Sequence, residues 1–119
     1  MGSTTATQRL ENYERRYRQL AEQLAGIGLI SSGSVTRRYT RCATPGCHCH
    51  ADPPQPHGPY YQWTTKIGGK TVTRRLTPTE AKLYKEWIDN DRKMRRLITQ
   101  MREVAAKASA IHLAETGSA

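Results

Sequence analysis

The sequence predicts an α+β protein, in which a small three-stranded antiparallel sheet with a cysteine-rich knuckle is flanked by an N-terminal helix and a long C-terminal helix that form a helical hairpin. Three observations carry this reading: apolar residues recur at helical spacing at both ends of the chain, a Gly-Gly pair divides two β-forming runs, and all three cysteines fall within eight residues. At 119 residues the chain is short enough for a single domain, expected over residues 6–113, between polar tails at 1–5 and 114–119.

The first helix is expected over residues 6–28. Leu10, Tyr13, Tyr17, Leu20, Leu24 and Ile27 are spaced 3-4-3-4-3, which draws one apolar stripe along a helix. Gly26, Gly28 and the Ser31-Ser32-Gly33-Ser34 run then end it. The knuckle and sheet take residues 33–77. Residues 34–41 are rich in β-formers and alternate, with Val35, Arg37, Tyr39 and Arg41 on one side and Thr36, Arg38 and Thr40 on the other. Four prolines between residues 53 and 59 forbid a helix or a central strand in the segment that follows.

Residues 60–67 and 70–76 form a hairpin about Gly68-Gly69, which tolerates the positive φ angles of a two-residue primed turn. In that register residue 67 faces 70, 65 faces 72, 63 faces 74 and 61 faces 76. Tyr61, Trp63, Ile67, Val72 and Leu76 share one face, with Lys70 and Arg74 near the turn. Gln62, Thr64, Lys66, Thr71, Thr73 and Arg75 share the other. Tyr39 and Tyr60 are expected in the core rather than on a base-stacking surface. The last helix, residues 78–112, opens on Thr77-Pro78-Thr79-Glu80, a capping box with proline at the first helical position. Tyr84, Trp87, Met94, Ile98, Met101, Ala105 and Ala108 continue its stripe, with Asp91 as an interruption. Its far half is too long for the sheet to cover, so it needs the first helix as a partner; a dimeric coiled coil is the alternative.

Cys42-x4-Cys47-x-Cys49, with His48, His50 and His57 nearby, has the composition of a metal site. An odd cysteine count argues against a disulfide scaffold. Zinc takes four tetrahedral ligands, so three thiolates call for one imidazole. His57 is the expected fourth ligand, because Pro53, Pro54 and Pro56 stiffen the loop that returns it; His48 and His50 are the alternatives. Four protein ligands leave no open position for an activated water, so the zinc is expected to be structural and to pin the end of the first strand beside the start of the second.

Gly33-Ser-Val-Thr-Arg-Arg-Tyr-Thr-Arg-Cys42, Pro45-Gly-Cys47-His-Cys49, His57-Gly-Pro-Tyr-Tyr61 and Gly68-Gly69-Lys70 together resemble a family of small bacterial proteins described only as a domain of unknown function. The resemblance spans residues 32–90. That family is common in actinobacteria, often near integrases and other mobile-element genes, and the resemblance implies the same ligands: Cys42, Cys47, Cys49 and His57. More distantly, residues 60–90 are similar at fold level to the arm-binding domains of integrases, whose three-stranded sheet lies in the DNA major groove.

Charge points to a polyanion. Nineteen Lys and Arg against ten Asp and Glu give +9. Residues 32–77 hold seven of those cations against Asp52 alone, whereas the flanks are nearly balanced. The expected nucleic-acid contacts are Arg37, Arg38, Arg41, Gln62, Thr64, Lys66, Lys70, Thr73, Arg74 and Arg75, with Arg and Gln suited to base edges and Thr and Lys to phosphates. Scarce carboxylates leave metal-assisted nuclease chemistry without ligands there, and no catalytic constellation stands out, so the protein is expected not to be an enzyme. Duplex DNA is favoured over RNA as the partner. The alternatives are an RNA-binding module and an adaptor that self-associates or docks a recombinase through its helices. No apolar run reaches the ~20 residues of a membrane span, and a soluble, cytoplasmic protein is expected.

Overall fold

The computed structural model describes residues 5–117. Its elements run α1 (Ala6–Ala25), β1 (Ser34–Thr40), a one-turn 3-10 helix (His48–His50), β2 (His57–Ile67), β3 (Lys70–Leu76) and α2 (Pro78–Glu115). The architecture is therefore α+β, with a three-stranded antiparallel sheet in the order β1-β2-β3 between an N-terminal and a long C-terminal helix. Among the described residues no helix is long and apolar enough to cross a membrane. Among the described residues, contacts gather in two compact units, one of residues 29–91 and the other of the chain up to residue 28 with the chain from residue 92 onward.

In the sheet unit the hairpin register is the expected one: Ile67 pairs with Lys70, Thr65 with Val72, Trp63 with Arg74 and Tyr61 with Leu76. Gly68 and Gly69 take φ of 57° and 79°, the left-handed pair a primed turn demands. β1 adds on the other side of β2, with Val35 opposite Trp63 and Arg37 opposite Tyr61. One sheet face packs on the first turns of α2. The Tyr84 ring lies 4.9 Å from that of Trp63, tilted, and 5.1 Å from that of Trp87, edge to face, and Leu76, Ala81 and Ile88 are buried. The connection from residue 29 to residue 33, read from sequence only as a helix stop, is tied to this layer. The Leu29 carbonyl accepts from Asn90, the Ser31 amide donates to the Trp87 carbonyl, and the Ser32 carbonyl accepts from Trp63 Nε1 at 2.8 Å. The buried Thr65 hydroxyl finds its partner in Ser32 Oγ at 2.8 Å.

In the helical unit α1 lies antiparallel to the second half of α2. Leu20 is fully buried, Leu97 and Ile111 nearly so, and Glu14 meets His112 at 3.1 Å. Both helices begin with capping boxes. Thr77 and Glu80 exchange their bonds as expected. At the other end Thr5, assigned to the tail, instead caps α1 with Gln8.

Four local readings are corrected. α1 stops at Ala25 rather than residue 28, where the Gly26 amide turns back to the last carbonyls. α2 continues through Glu115, because Leu113 and Ala114 still favour helix and its hydrogen bonding ends only at Gly117, with φ of +72°. Its buried stripe is wider than one residue per step. Ile88 and Leu97 join it, and Asp91, expected as an interruption, is itself buried, since a helix covered by a partner needs an apolar band about 100° wide. Finally, β2 is central and includes Pro59. β3 ends opposite Tyr61, so residues 57–60 pair on one side only, the edge-like setting in which a strand tolerates proline. The outer parts of the expected tails, residues 1–4 and 118–119, lie outside the described residues.

Candidate metal centre and basic sheet face

The knuckle begins where β1 ends. A turn at Thr44-Pro45-Gly46-Cys47 is closed by the Cys47 amide donating to the Thr44 carbonyl at 3.4 Å. The 3-10 turn His48–His50 follows, its geometry fixed by the His50 and Ala51 amides reaching back to Cys47 and His48. The Gln55 amide also donates to the His48 carbonyl, which folds the proline-rich loop back on the turn. β2 then starts at His57, paired with Thr40 across an irregularity in the ladder. Gly58 makes that return possible. Its φ is +132°, and a Cβ there would stand 2.8 Å from the Arg38 carbonyl oxygen, so only glycine lets the two strands close at this point.

These turns bring Cys42, Cys47, Cys49 and His57 together, with all four ligand atoms within 4.8 Å of one another. Cys42 Sγ lies 3.5 Å from Cys49 Sγ, and Cys47 Sγ lies 3.1 Å from His57 Nε2. A disulfide would need about 2.05 Å. A tetrahedral zinc with sulfur ligands at about 2.3 Å sets its ligand atoms about 3.7 Å apart. The four groups are therefore close enough to hold a metal ion, and three thiols with one imidazole fit zinc.

The surroundings tune the thiols in opposite directions. The Thr44 amide, then hydrogen bonds from His57, Cys47 and Cys49, pull Cys42 down from 9.0 to about 5. Cys49 is fully buried, and the loss of water pushes its thiol up. The Cys42 amide donates to Cys49 Sγ at 3.3 Å, which opposes that push.

The two remaining histidines sit around the cluster rather than in it. The His50 ring meets the Cys42 carbonyl through Nε2. His48, an alternative to His57 as the fourth ligand, lies edge-on to the His57 ring at 4.8 Å, with Nδ1 3.8 Å from Cys47 Sγ. Spacing alone did not reveal this, because it does not show that residues 48–50 wind into a 3-10 turn.

The ten residues expected to contact nucleic acid divide between surfaces. Arg38, Gln62, Thr64, Lys66, Thr73 and Arg75 share the sheet face turned away from α2, together with Ser34, Thr36, Tyr60 and Thr71. That face carries three cations and no carboxylate. Arg37, Lys70 and Arg74 occupy the helix-side face. There Arg37 donates to the Tyr39 hydroxyl at 2.7 Å, and Arg74 pairs with Glu80 at 3.2 Å. Arg41 lies beyond the end of β1, off the ladder.

Neither tyrosine assigned to the core is there. Tyr39 is 53% exposed, at the irregularity of β1. Tyr60 is on the polar face beneath the Arg75 guanidinium, 3.8 Å from its carbon to the ring centre. Parity in β2 carried the signal: 60, 62, 64 and 66 must share a face.

A family described as "Domain of unknown function (DUF6788)" matches residues 10–85. The chain belongs to this family. The match takes in α1 from Leu10 onward, the whole sheet, the knuckle and the first turns of α2, so all four candidate ligands lie within the DUF6788 region. No curated protein and no solved structure matches the chain.

Proposed function

We propose that this DUF6788 protein is a zinc-stabilised nucleic-acid-binding protein that engages duplex DNA, without catalysis, as an accessory or regulatory factor of a mobile element or recombinase. The observation that carries the reading is the polar sheet face, where Arg38, Lys66 and Arg75 stand among Gln and Thr side chains with no carboxylate beside them. Three strands about 4.8 Å apart make a backbone about 10 Å across, comparable with the ~12 Å width of the major groove. The cysteine–histidine knuckle supports the same reading. When bound, a zinc ion would hold the β1–β2 junction rigid, and a rigid sheet loses less conformational freedom on docking. The mobile-element setting rests on the family resemblance.

The test is a titration of duplex DNA across salt concentrations. The double variant Lys66→Ala with Arg75→Ala should weaken binding to every sequence and reduce the slope of log K against log salt by about 2. Unchanged affinity and slope would remove this face from binding. Tighter binding of structured or single-stranded RNA than of duplex DNA at the same salt would move the partner to RNA. No polyanion affinity, with a stable oligomer by light scattering, would leave an adaptor role.

A further inference from the structure

Four side chains at the knuckle end of the polar face form a patch whose contacts select its ligand. Arg38 on β1 is opposite Tyr60 on β2, and Arg75 on β3 is opposite Gln62. With Thr40 and Tyr61 they line one shallow hollow. Both arginines lean onto the central strand. Arg38 Nη1 donates to Gln62 Oε1 at 3.1 Å, and the Arg75 guanidinium carbon lies 3.8 Å from the centre of the Tyr60 ring. Building on the DNA-binding reading, we infer that this patch is a guanine-selective subsite, reading the major-groove edge of a guanine with Arg38 and Gln62 beside Arg75.

The argument is a count of donors and acceptors. A glutamine amide has one oxygen with two acceptor lone pairs and two N–H donors, and a guanidinium has donors only. A free glutamine reads adenine, because its oxygen accepts from N6 while its amide donates to N7. Gln62 is not free, since Arg38 donates to one lone pair of its oxygen and holds the amide in place. What the pair chiefly offers is its remaining N–H groups. Arg75 adds more, because a cation–π contact with Tyr60 is not a hydrogen bond to an acceptor and leaves its N–H groups to a ligand. The Tyr60 and Thr40 hydroxyls serve either role. In the major groove only guanine offers two acceptors and no donor, N7 and O6; adenine adds a donor, cytosine offers a donor, and thymine one acceptor beside a methyl group. The patch is therefore rich in donors and poor in acceptors, which favours the two acceptors of guanine over the donor–acceptor pair of adenine. Two arginines already held by the central strand also lose less side-chain freedom on binding than free ones.

Phosphate oxygens are acceptors too, so the test must separate base from backbone. The metal-loaded full chain is titrated at one salt concentration with duplexes of equal length: one G·C-rich, one with those pairs replaced by A·T, one with 7-deazaguanine, which lacks N7, and one with inosine, which keeps N7 and O6. The G·C and inosine duplexes should bind roughly ten-fold or more tightly than the A·T duplex, and 7-deazaguanine should abolish most of that preference. Gln62→Leu, which keeps every charge, and Arg38→Ala should each bring the G·C to A·T ratio towards one, with circular dichroism and metal content unchanged. Equal binding of all four duplexes with full salt dependence would assign the patch to phosphate and overturn the guanine subsite while DNA binding stands. A base preference retained by both variants would also overturn it. Binding to no duplex would sink both readings together.

Discussion

Cys42 and Cys49 are the same chemical group seven residues apart, yet the fold drives their acidities in opposite directions. The Thr44 amide favours the Cys42 thiolate, while burial disfavours that of Cys49. Neither effect is legible in Cys-x4-Cys-x-Cys, whose spacing gives the ligand types but not the amides that surround them. Glu80 is the opposite case. Its role in a capping box follows from Thr-x-x-Glu, and the structure shows the consequence: the Thr77 amide, then the Thr77 hydroxyl, with Arg74 nearby, hold its carboxyl below the ordinary 4.5. Because the folded value is the lower one, this contribution to stability is present above about pH 4.5 and is lost as pH falls through the folded value. Glu80→Gln should therefore flatten the part of the stability curve that falls on acidification below pH 5. Urea midpoints measured from pH 3 to 7 check this, and parallel curves for the two proteins would exclude it.

Among the elements, the hairpin was fully legible. Alternation gave its faces and Gly-Gly its turn, and together they fixed the register to the residue. The two long helices were legible as stripes but not in their ends, since Gly26 and Gly117, not the last apolar residue, decide where hydrogen bonding stops. The start of β2 was hidden. A proline-dense stretch argues against a strand, and only the absence of β3 beyond Leu76 makes room for Pro59 in one. This junction depends on Gly58. Gly58→Ala should destabilise the sheet by roughly 1–3 kcal/mol, because alanine meets both an unfavourable φ and the Arg38 carbonyl. It should also weaken metal retention, since the same residue leads His57 into place. Thermal melting with a zinc-chelator competition measures both, and a variant matching the parent in each would show that the junction accommodates a side chain.

At the scale of the whole molecule, a basic middle segment is borne by a sheet, and its two faces divide the cations between helix-side pairing and a surface clear of carboxylates. The sheet's apolar layer is modest, built on Trp63, Leu76, Ala81 and Ile88, and the 42–57 loop adds little apolar burial beyond Cys49. A metal at the Cys42–Cys47–Cys49–His57 cluster would replace burial that this loop lacks. Native mass spectrometry should therefore find one zinc per chain. Stripping it with a chelator should speed amide exchange through residues 34–67 while leaving the amides of α1 protected. Protein purified without zinc, or exchange indifferent to the chelator, would exclude a metal from the architecture.

The sequence by itself determined the element order, the hairpin register, the two capped or striped helices and the four candidate ligands. Each follows from periodicity, turn chemistry or ligand type acting over a few residues. Only the tertiary structure decided that the ligand atoms converge, that Tyr60 lies under Arg75 and that Arg38 donates to the Gln62 oxygen. Those are relations between strands, set by how the chain returns through the knuckle. No local preference specifies which side chains that return will bring within reach.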